Sequence, residues 1–404
     1  MQVAVVGGGM VGLAFALAIK NGCPGTDIRV LEARTPKTGA PPPLDSRATA
    51  LNLASRSLLD QWGIWQQVAQ SAADILAIHV SSKGRFGSAL MEAVDVGESA
   101  LGYVIENHLL GSLLLQHAQN NGVVFQAPVG VQGVVTDGAG PVLQLQDGGE
   151  LAADLVIIAD GADSLLARQL GISSDRRDVA QRAIAANVRV RGGQQQGVAW
   201  ERFTAHGPIA LLPLPEDTPG YKRYNLIWSA HPEQAAELEG LDDAEFLSAL
   251  QREVGWRAGQ LTAVGQRSAW DLTRVCAREQ VRSGVVIAGN AAHTLHPVAG
   301  QGFNLSLRDA AALALALEEL PVTAGASGSM AALQRYQQLT AEDQRFTTGA
   351  TDLLATLFRS RGPLLDLPRD AALATLDLLP PLRRRIAQRG TGQGITAATG
   401  QAGS

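Results

Sequence analysis

The chain has 404 residues, 46% of them hydrophobic, with 33 Lys and Arg against 38 Asp and Glu for a formal net charge of -5. That length accommodates two domains, each able to bury its own core, and the missing basic surplus excludes the broad positive field on which nucleic-acid affinity rests. Two cysteines, Cys23 and Cys276, without CxxC spacing or clustered His, predict free thiols in a reducing compartment, with no disulfide framework and no metal site.

No basic patch ahead of an apolar signal core opens the sequence, and its first charged side chain, Lys20, falls within a predicted helix. No apolar stretch approaches the roughly 18 residues that span a bilayer. A cytoplasmic protein is expected, with docking on the inner face of a membrane left open.

Residues 2–6, QVAVV, form a β-branched run that stops at glycines; FALAIKNG then carries apolar residues at helical spacing, and DIRVLEA gives a second strand. The unit is strand, glycine turn, helix, strand. Gly7, Gly9 and Gly12 set GxGxxG in that context. The first glycine permits a tight turn, the second lets backbone approach a pyrophosphate, and the third lets helix and strand pack closely. Glu32, 20 residues beyond Gly12, stands where ribose hydroxyls are held. This unit predicts dinucleotide binding, and by itself it does not separate FAD from a nicotinamide cofactor.

A proline-rich loop, GAPPPLDSRATAL, leads into ATALNLASRSLLDQWGIW, whose Leu51, Leu58, Leu59 and Trp62 fit one helical face. Alternating strands follow in AIHVSS, AIAANVRV, VAWERF, PIALLPL and YNLIWS, with no helix read between them, which predicts an antiparallel sheet. Between the two β-rich parts lie a predicted helix at 107–120, a hairpin-like stretch to 150 and the strand DLVIIADGADS. After 278, VVIAG runs into the second glycine loop, GNAAHTLHPVAGQGFN, and then into helix to about 390; the Gly, Thr and Ala-rich end predicts a disordered tail.

GGGMVG with Glu32, DSRATAL at 45–51, ADGADSLLAR at 159–168 and GNAAHTLHPVAGQGFNLSLRDA at 289–310 together resemble, in wording and order, the flavin-dependent aromatic hydroxylases of the p-hydroxybenzoate hydroxylase type. Within that group DSRATAL, ERFTAHGPIALLP and TLHPVAGQGFN are most similar to the ubiquinone-biosynthesis hydroxylases, the 2-octaprenyl-6-methoxyphenol hydroxylases above all. The resemblance spans nearly the whole chain. It implies one FAD held by both glycine loops, GGGMVG at the pyrophosphate and 289–304 along the ribityl chain and ring.

Gly300 and Gly302 would let backbone lie against the flat ring, their NH groups polarising it, with Pro297 stiffening the turn. The resemblance further implies FAD contacts at Arg47, Asn107, Asp160, Gly289, Asn290, Gln301 and Asn304. Asn290 departs from the family, which has Asp there; an amide keeps one acceptor oxygen and adds donors. His293 and His296 invite a general-base reading, but the implied chemistry lives on the flavin, so ordering of the loop is favoured and only His296 is kept as a catalytic candidate.

The fold implied is α/β: a Rossmann-like FAD-binding domain from 1–75, 100–180 and 278–330, an inserted antiparallel substrate sheet from 76–99 and 181–277, a C-terminal helical segment at 331–390 and a tail at 391–404. The implied reaction is reduction of FAD by NAD(P)H or another donor, formation of a C4a-hydroperoxyflavin, and transfer of one oxygen atom to a polyprenylated phenol. The partners implied are that phenol and a membrane surface or a ubiquinone-biosynthesis complex. ALLPL, NLIW, Trp200 and Phe203 are candidates for an apolar channel, although plain core is the more ordinary role of such residues. Hydroxylation of another ring position or phenol, and a non-catalytic flavoprotein-like lipid carrier, stay open as alternatives.

Overall fold

The computed structural model describes residues 1–36, 47–85, 88–136, 140–193, 196–296, 300–320 and 326–359. Pro297, Asp45 and Ser46, the expected tail, and the expected helical segment past 359 lie outside the described residues.

The apolar run at the N-terminus becomes the strand Gln2–Val6, buried except at its first residue, because it lies mid-sheet. The sheet has six strands in the order Val281–Arg282, Val285–Ile287, Leu155–Ile158, Gln2–Val6, Asp27–Leu31 and Val124–Gln126. All neighbours are parallel except the first pair. Parallel strands covered on both faces read as continuous apolar runs, as VAVV and LVII do. One face carries the helices Met10–Gly22, Asn107–Asn120 and Gln301–Glu319. The other is covered by a three-stranded antiparallel sheet, Val131–Thr136, Pro141–Leu145 and Glu150–Ala152.

A second, nine-stranded sheet is built mainly from residues 174–277 together with Ala77–Ser82 and Ser88–Glu92. Its long strand Ser174–Arg191 starts ahead of the boundary suggested at 181, and the short strand His293–Thr294 joins its edge, so the second glycine loop is tied to this sheet as well. Two helices intervene where none was read, Pro232–Gly240 and Asp243–Val254. The second is fixed by a capping box between Asp242 and Glu245. They bury the outer sheet face, where Phe246 and Leu250 meet Ile184, Leu226 and Trp228. One pairing within the sheet, Val198–Thr204 beside Ala77–Ser82, is parallel and not antiparallel.

The stretch 48–62 also differs from a single helix. Ala48–Asn52 is a strand paired to Gly102–Glu106, and the helix starts only at Leu53, where the Asn52 side chain accepts from the Ser55 N–H as N-cap. Leu51, Leu58, Leu59 and Trp62 are all buried, so the apolar spacing was real while its period was mixed.

The small sheet of Ala48–Asn52, Gly102–Glu106 and Ala73–Ile75 packs between the layers of the parallel sheet and the nine-stranded sheet. Beside it the Arg223 Nη2 donates to Glu106 Oε1 over 2.6 Å, the Asn187 amide approaches the same oxygen at 3.4 Å, and Asn225 donates to Asn187 over 2.8 Å. Arg223 and Glu106 are 8% and 13% exposed, so this pair fastens one sheet to the other out of reach of bulk solvent. Removing Glu106 leaves the buried Arg223 charge with only the more distant Asp217 carboxylate, 3.7 Å away. Glu106→Ala is therefore expected to lower stability by about 3 kcal/mol, read as a fall in the urea midpoint; a change below a tenth of that would show that the pair is dispensable.

Candidate active site

The three glycines of the first loop differ in what surrounds them. Gly7 has φ +107°, and a side chain there would run into the Ala159 carbonyl oxygen; Gly12 faces the Gly7 carbonyl oxygen at a distance that leaves no room for a carbon. Both are required by the crossing of strand, turn and helix. Gly9 has open space where its side chain would be. It is also the N-cap of Met10–Gly22, with no side-chain cap bond and no acid in the first turn, so the N–H groups of that helix end are left for an anion. Glu32 closes the turn by accepting from the Gly8 N–H at 2.7 Å and the Arg34 N–H at 3.0 Å.

The second loop begins at the end of strand 285–287. Gly289, at φ +58°, packs its α-carbon against Val11, the second residue of the first-loop helix, where a side chain would start 2.7 Å from a methyl. The two glycine loops touch here. Asn290 is exposed, and its carbonyl accepts from the Thr294 hydroxyl. Gly300, at φ +57°, is the N-cap of Gln301–Glu319; Gly302, one residue into that helix after Gln301, has open space on its side-chain side.

Asn304 turns inward. Its Nδ2 donates to the carbonyls of Ala50 and Gly300, each at 2.8 Å, and its Oδ1 accepts from the Asn52 N–H at 2.9 Å and the Ser55 hydroxyl at 2.6 Å. Both donors and both acceptor positions are used. The residue was expected to touch cofactor; in the structure its side chain pins the loop to strand 48–52. Asn52 and Ser55, its partners, were not singled out in the sequence, where the only trace of them is the Asn-x-x-Ser capping spacing.

Asp160 follows strand 155–158 and accepts from the Ser164 hydroxyl at 3.0 Å. Although exposed at its rim, its carboxyl is held above the ordinary range by burial, which the Ser164 bond and Arg168 partly offset. Asn107 opens helix 107–120; its N–H donates to the Arg47 carbonyl and its Oδ1 accepts from Thr49. The Arg47 guanidinium lies 5.9 Å from the ring centre of Trp270, a residue of the nine-stranded sheet, so it bridges the seam between the layers.

The two histidines separate. Buried His293 donates from Nε2 to the equally buried Asp309 carboxylate over 2.8 Å, a tie between loop and helix. His296 is buried with its Nε2 3.2 Å from Gln181 Oε1. Both side chains are thus engaged in holding the loop between the helix 301–319 and the sheet.

The residues present fit an extended dinucleotide: a bare helix N-terminus beside Gly9, and an open glycine at 302. Residues 1–342 match the family FAD_binding_3, described as FAD binding domain. The chain belongs to that family. Ubiquinone hydroxylase UbiL of Rhodospirillum rubrum is 31% identical to it over 394 residues, covering 97% of this chain and 89% of the relative. The 3-demethoxyubiquinol 3-hydroxylase of Escherichia coli is 30% identical over 389 residues, covering 95% and 96%. Among solved structures, p-nitrophenol 4-monooxygenase PnpA of Pseudomonas putida has a TM-score of 0.76 at 20% identity, covering 97% of this chain and 98% of that one. A single-residue variant of HpxO from Klebsiella pneumoniae, complexed with FAD, has 0.75 at 18%, covering 98% and 99%. These two share the fold.

As a member of an FAD-binding family, the protein should separate its glycines by experiment. Gly9→Val fits the empty space without strain and is expected to yield folded protein that purifies colourless, since the side chain takes the room of the pyrophosphate. Gly12→Ala should instead fail as a fold. Flavin absorbance per chain and thermal unfolding check both; stoichiometric flavin in folded Gly9→Val would remove this loop from the cofactor site.

Proposed function

We propose that the protein is an FAD-dependent aromatic-ring monooxygenase that hydroxylates a polyprenylated phenol in ubiquinone biosynthesis, drawing electrons from NAD(P)H or another reductant. The observation that carries this reading is the placing of the two glycine loops, joined at Gly289 and Val11, on one side of a seam whose other side is a largely apolar sheet face. The names of the curated relatives, both hydroxylases of ubiquinone or its precursor, supply the substrate class.

Bound FAD supplies the electron transfer and the oxygen activation. The chain's own residues do the rest. Gly7, Gly9 and Gly12 with the 10–22 helix end would hold the pyrophosphate, Glu32 would take the ribose, and Asn290, Gly300, Gln301 and Gly302 would lie along the remainder. Arg47 and Asp160 stand at the rim, and Asn107, Asn304 and His296 order the segments that form the walls. The sheet face excludes water and orients the phenol.

The apolar candidates divide by strand alternation. Leu212 and Ile227 face the seam, whereas Leu211, Leu226 and Trp228 form the core beneath the outer helices and Trp200 packs on that side with them. A polyprenyl tail would therefore run over the first set. No described helix is long and apolar enough to cross a membrane, so the protein would meet its lipid substrate by peripheral docking or within a complex.

The test is oxygen uptake measured against hydroxylated product, with hydrogen peroxide followed in parallel. The wild type should couple the two. Gly302→Leu fills the open space beside the ring while the first loop still grips the pyrophosphate. It is expected to retain measurable FAD and to divert most oxygen to peroxide. Wild-type coupling in a folded Gly302→Leu protein would mean that Gly302 does not border the ring.

A further inference from the structure

Backbone pairing sets six residues of neighbouring strands in one row across the nine-stranded sheet: Val80, Glu201, Ala210, Ile227, Ala185 and Ser268. Directly paired residues point to the same face. The face is identified by Ile78, Ala199 and Leu212, two residues along their strands from Val80, Glu201 and Ala210, which pack with Ala48 and Ala50 of the small sheet. Ala50 in turn lies 3.4 Å from where a side chain on Gly300 would begin. The row thus looks across the seam towards the second glycine loop. Val80, Glu201, Ala210 and Ile227 are each only partly covered, so the row is an accessible apolar floor holding one carboxylate.

Glu201 has no hydrogen-bond or ion-pair partner among the described residues. Its neighbours in sequence, Trp200 and Arg202, point to the opposite face, where they line a small hollow with His79 and Arg257. Burial alone pushes the Glu201 carboxyl up to about 7; no charge from the flanking strands 77–82 and 207–218 or from the small sheet contributes. An unpaired carboxylate on an apolar floor is unfavourable for folding. Groups perturbed in this way gather where chemistry is done.

We propose that Glu201 receives the substrate's phenolic hydroxyl, accepting first its hydrogen bond and then its proton. This rests on the hydroxylase reading above and adds to it the residue that activates the ring. In the step the phenol O–H bond breaks, the proton goes to a Glu201 carboxylate oxygen, and the electron pair stays on the phenolate oxygen, delocalised into the ring. No electron is gained or lost, and the proton passes to water when product leaves. A phenol titrates near 10, so an ordinary carboxylate near 4.3 is a weak base towards it. Raising the acceptor narrows that gap, as general-base catalysis near neutrality requires.

The experiment compares the FAD-loaded wild type with Glu201→Gln and Glu201→Asp on a 2-methoxyphenol carrying one prenyl chain. Glu201→Gln should bind FAD fully and lose about 10²-fold in kcat. The rise in wild-type activity with pH through about 7, where Glu201 loses its proton, should be absent from it. Binding of the un-ionised phenol should tighten as pH rises through about 7 in the wild type and stay level in Glu201→Gln, a readout that needs no turnover. A ring-fluorinated phenol, already ionised at the assay pH, should restore most of the lost rate, and Glu201→Asp should recover part of it. Linkage gives an independent check: a carboxyl whose folded pKa is raised loses stability as pH climbs towards that value, so Glu201→Gln should melt above the wild type at about pH 8 and level with it at about pH 5. A pH dependence of phenol binding and of activity unchanged in Glu201→Gln overturns the proposal. A wild type whose phenol binding tightens through about pH 7 but which hydroxylates none overturns the functional reading and leaves Glu201 standing as the phenol's acceptor.

Discussion

Asn304 is the constraint on which the site depends. It joins the end of one glycine loop to a strand and helix 249 to 254 positions earlier in the chain, and a single side-chain amide makes all four of the hydrogen bonds involved. Because the amide is buried, each of these bonds is expensive to leave unmade, and because all of its capacity is used, the geometry has one solution. The loop 300–304 cannot shift without stranding the Asn52 N–H, the Ser55 hydroxyl or the Ala50 carbonyl. A flat ligand laid against Gly300 and Gly302 would meet a surface already fixed before binding, the condition under which binding energy is not diverted into ordering the protein.

From that pin the architecture extends in both directions. Strand 48–52 takes its place beside 102–106, and that small sheet is the spacer that sets the distance between the parallel sheet and the nine-stranded one. The buried Arg223–Glu106 pair fastens the far side of the spacer, one residue before Asn107 begins its helix. The seam is therefore held by a polar anchor at each side, and between them the row of Val80, Glu201, Ala210 and Ile227 carries one carboxylate. On the assignment of Glu201 to the phenolic hydroxyl, folding tolerates that carboxylate because substrate, and not protein, is its partner.

The N-terminal unit was legible because its signals are local. A β-branched run, glycines at fixed offsets, an apolar helix and an acid at the end of the next strand are each written within a few residues of their effect, and Gly7, Gly9 and Gly12 have the three distinct surroundings that the spacing predicts. The second glycine loop was legible as wording, and its likeness to a known family carried the cofactor and the substrate class. The stretch 48–62 was misread because a helical and a strand period overlap at Leu51, and only pairing with 102–106, remote in sequence, decides between them. The helices at 232–254 were missed beside stronger β signals.

What the sequence determined by itself is the geometry of the glycine turns and of the bare helix end, since a turn that needs no side chain and a helix end without a cap are properties of a few adjacent residues. What only the tertiary structure decided is which side chains are free to act. Asn304 and His293 look like site residues in the sequence and are consumed by internal partners, Trp200 looks like a channel wall and faces the core, and Glu201 looks like an ordinary surface acid of a strand. The physical reason is alternation and register: a strand residue's face follows from its parity, but which face is solvent, core or seam is set by the layers that pack on it, and those come from distant parts of the chain.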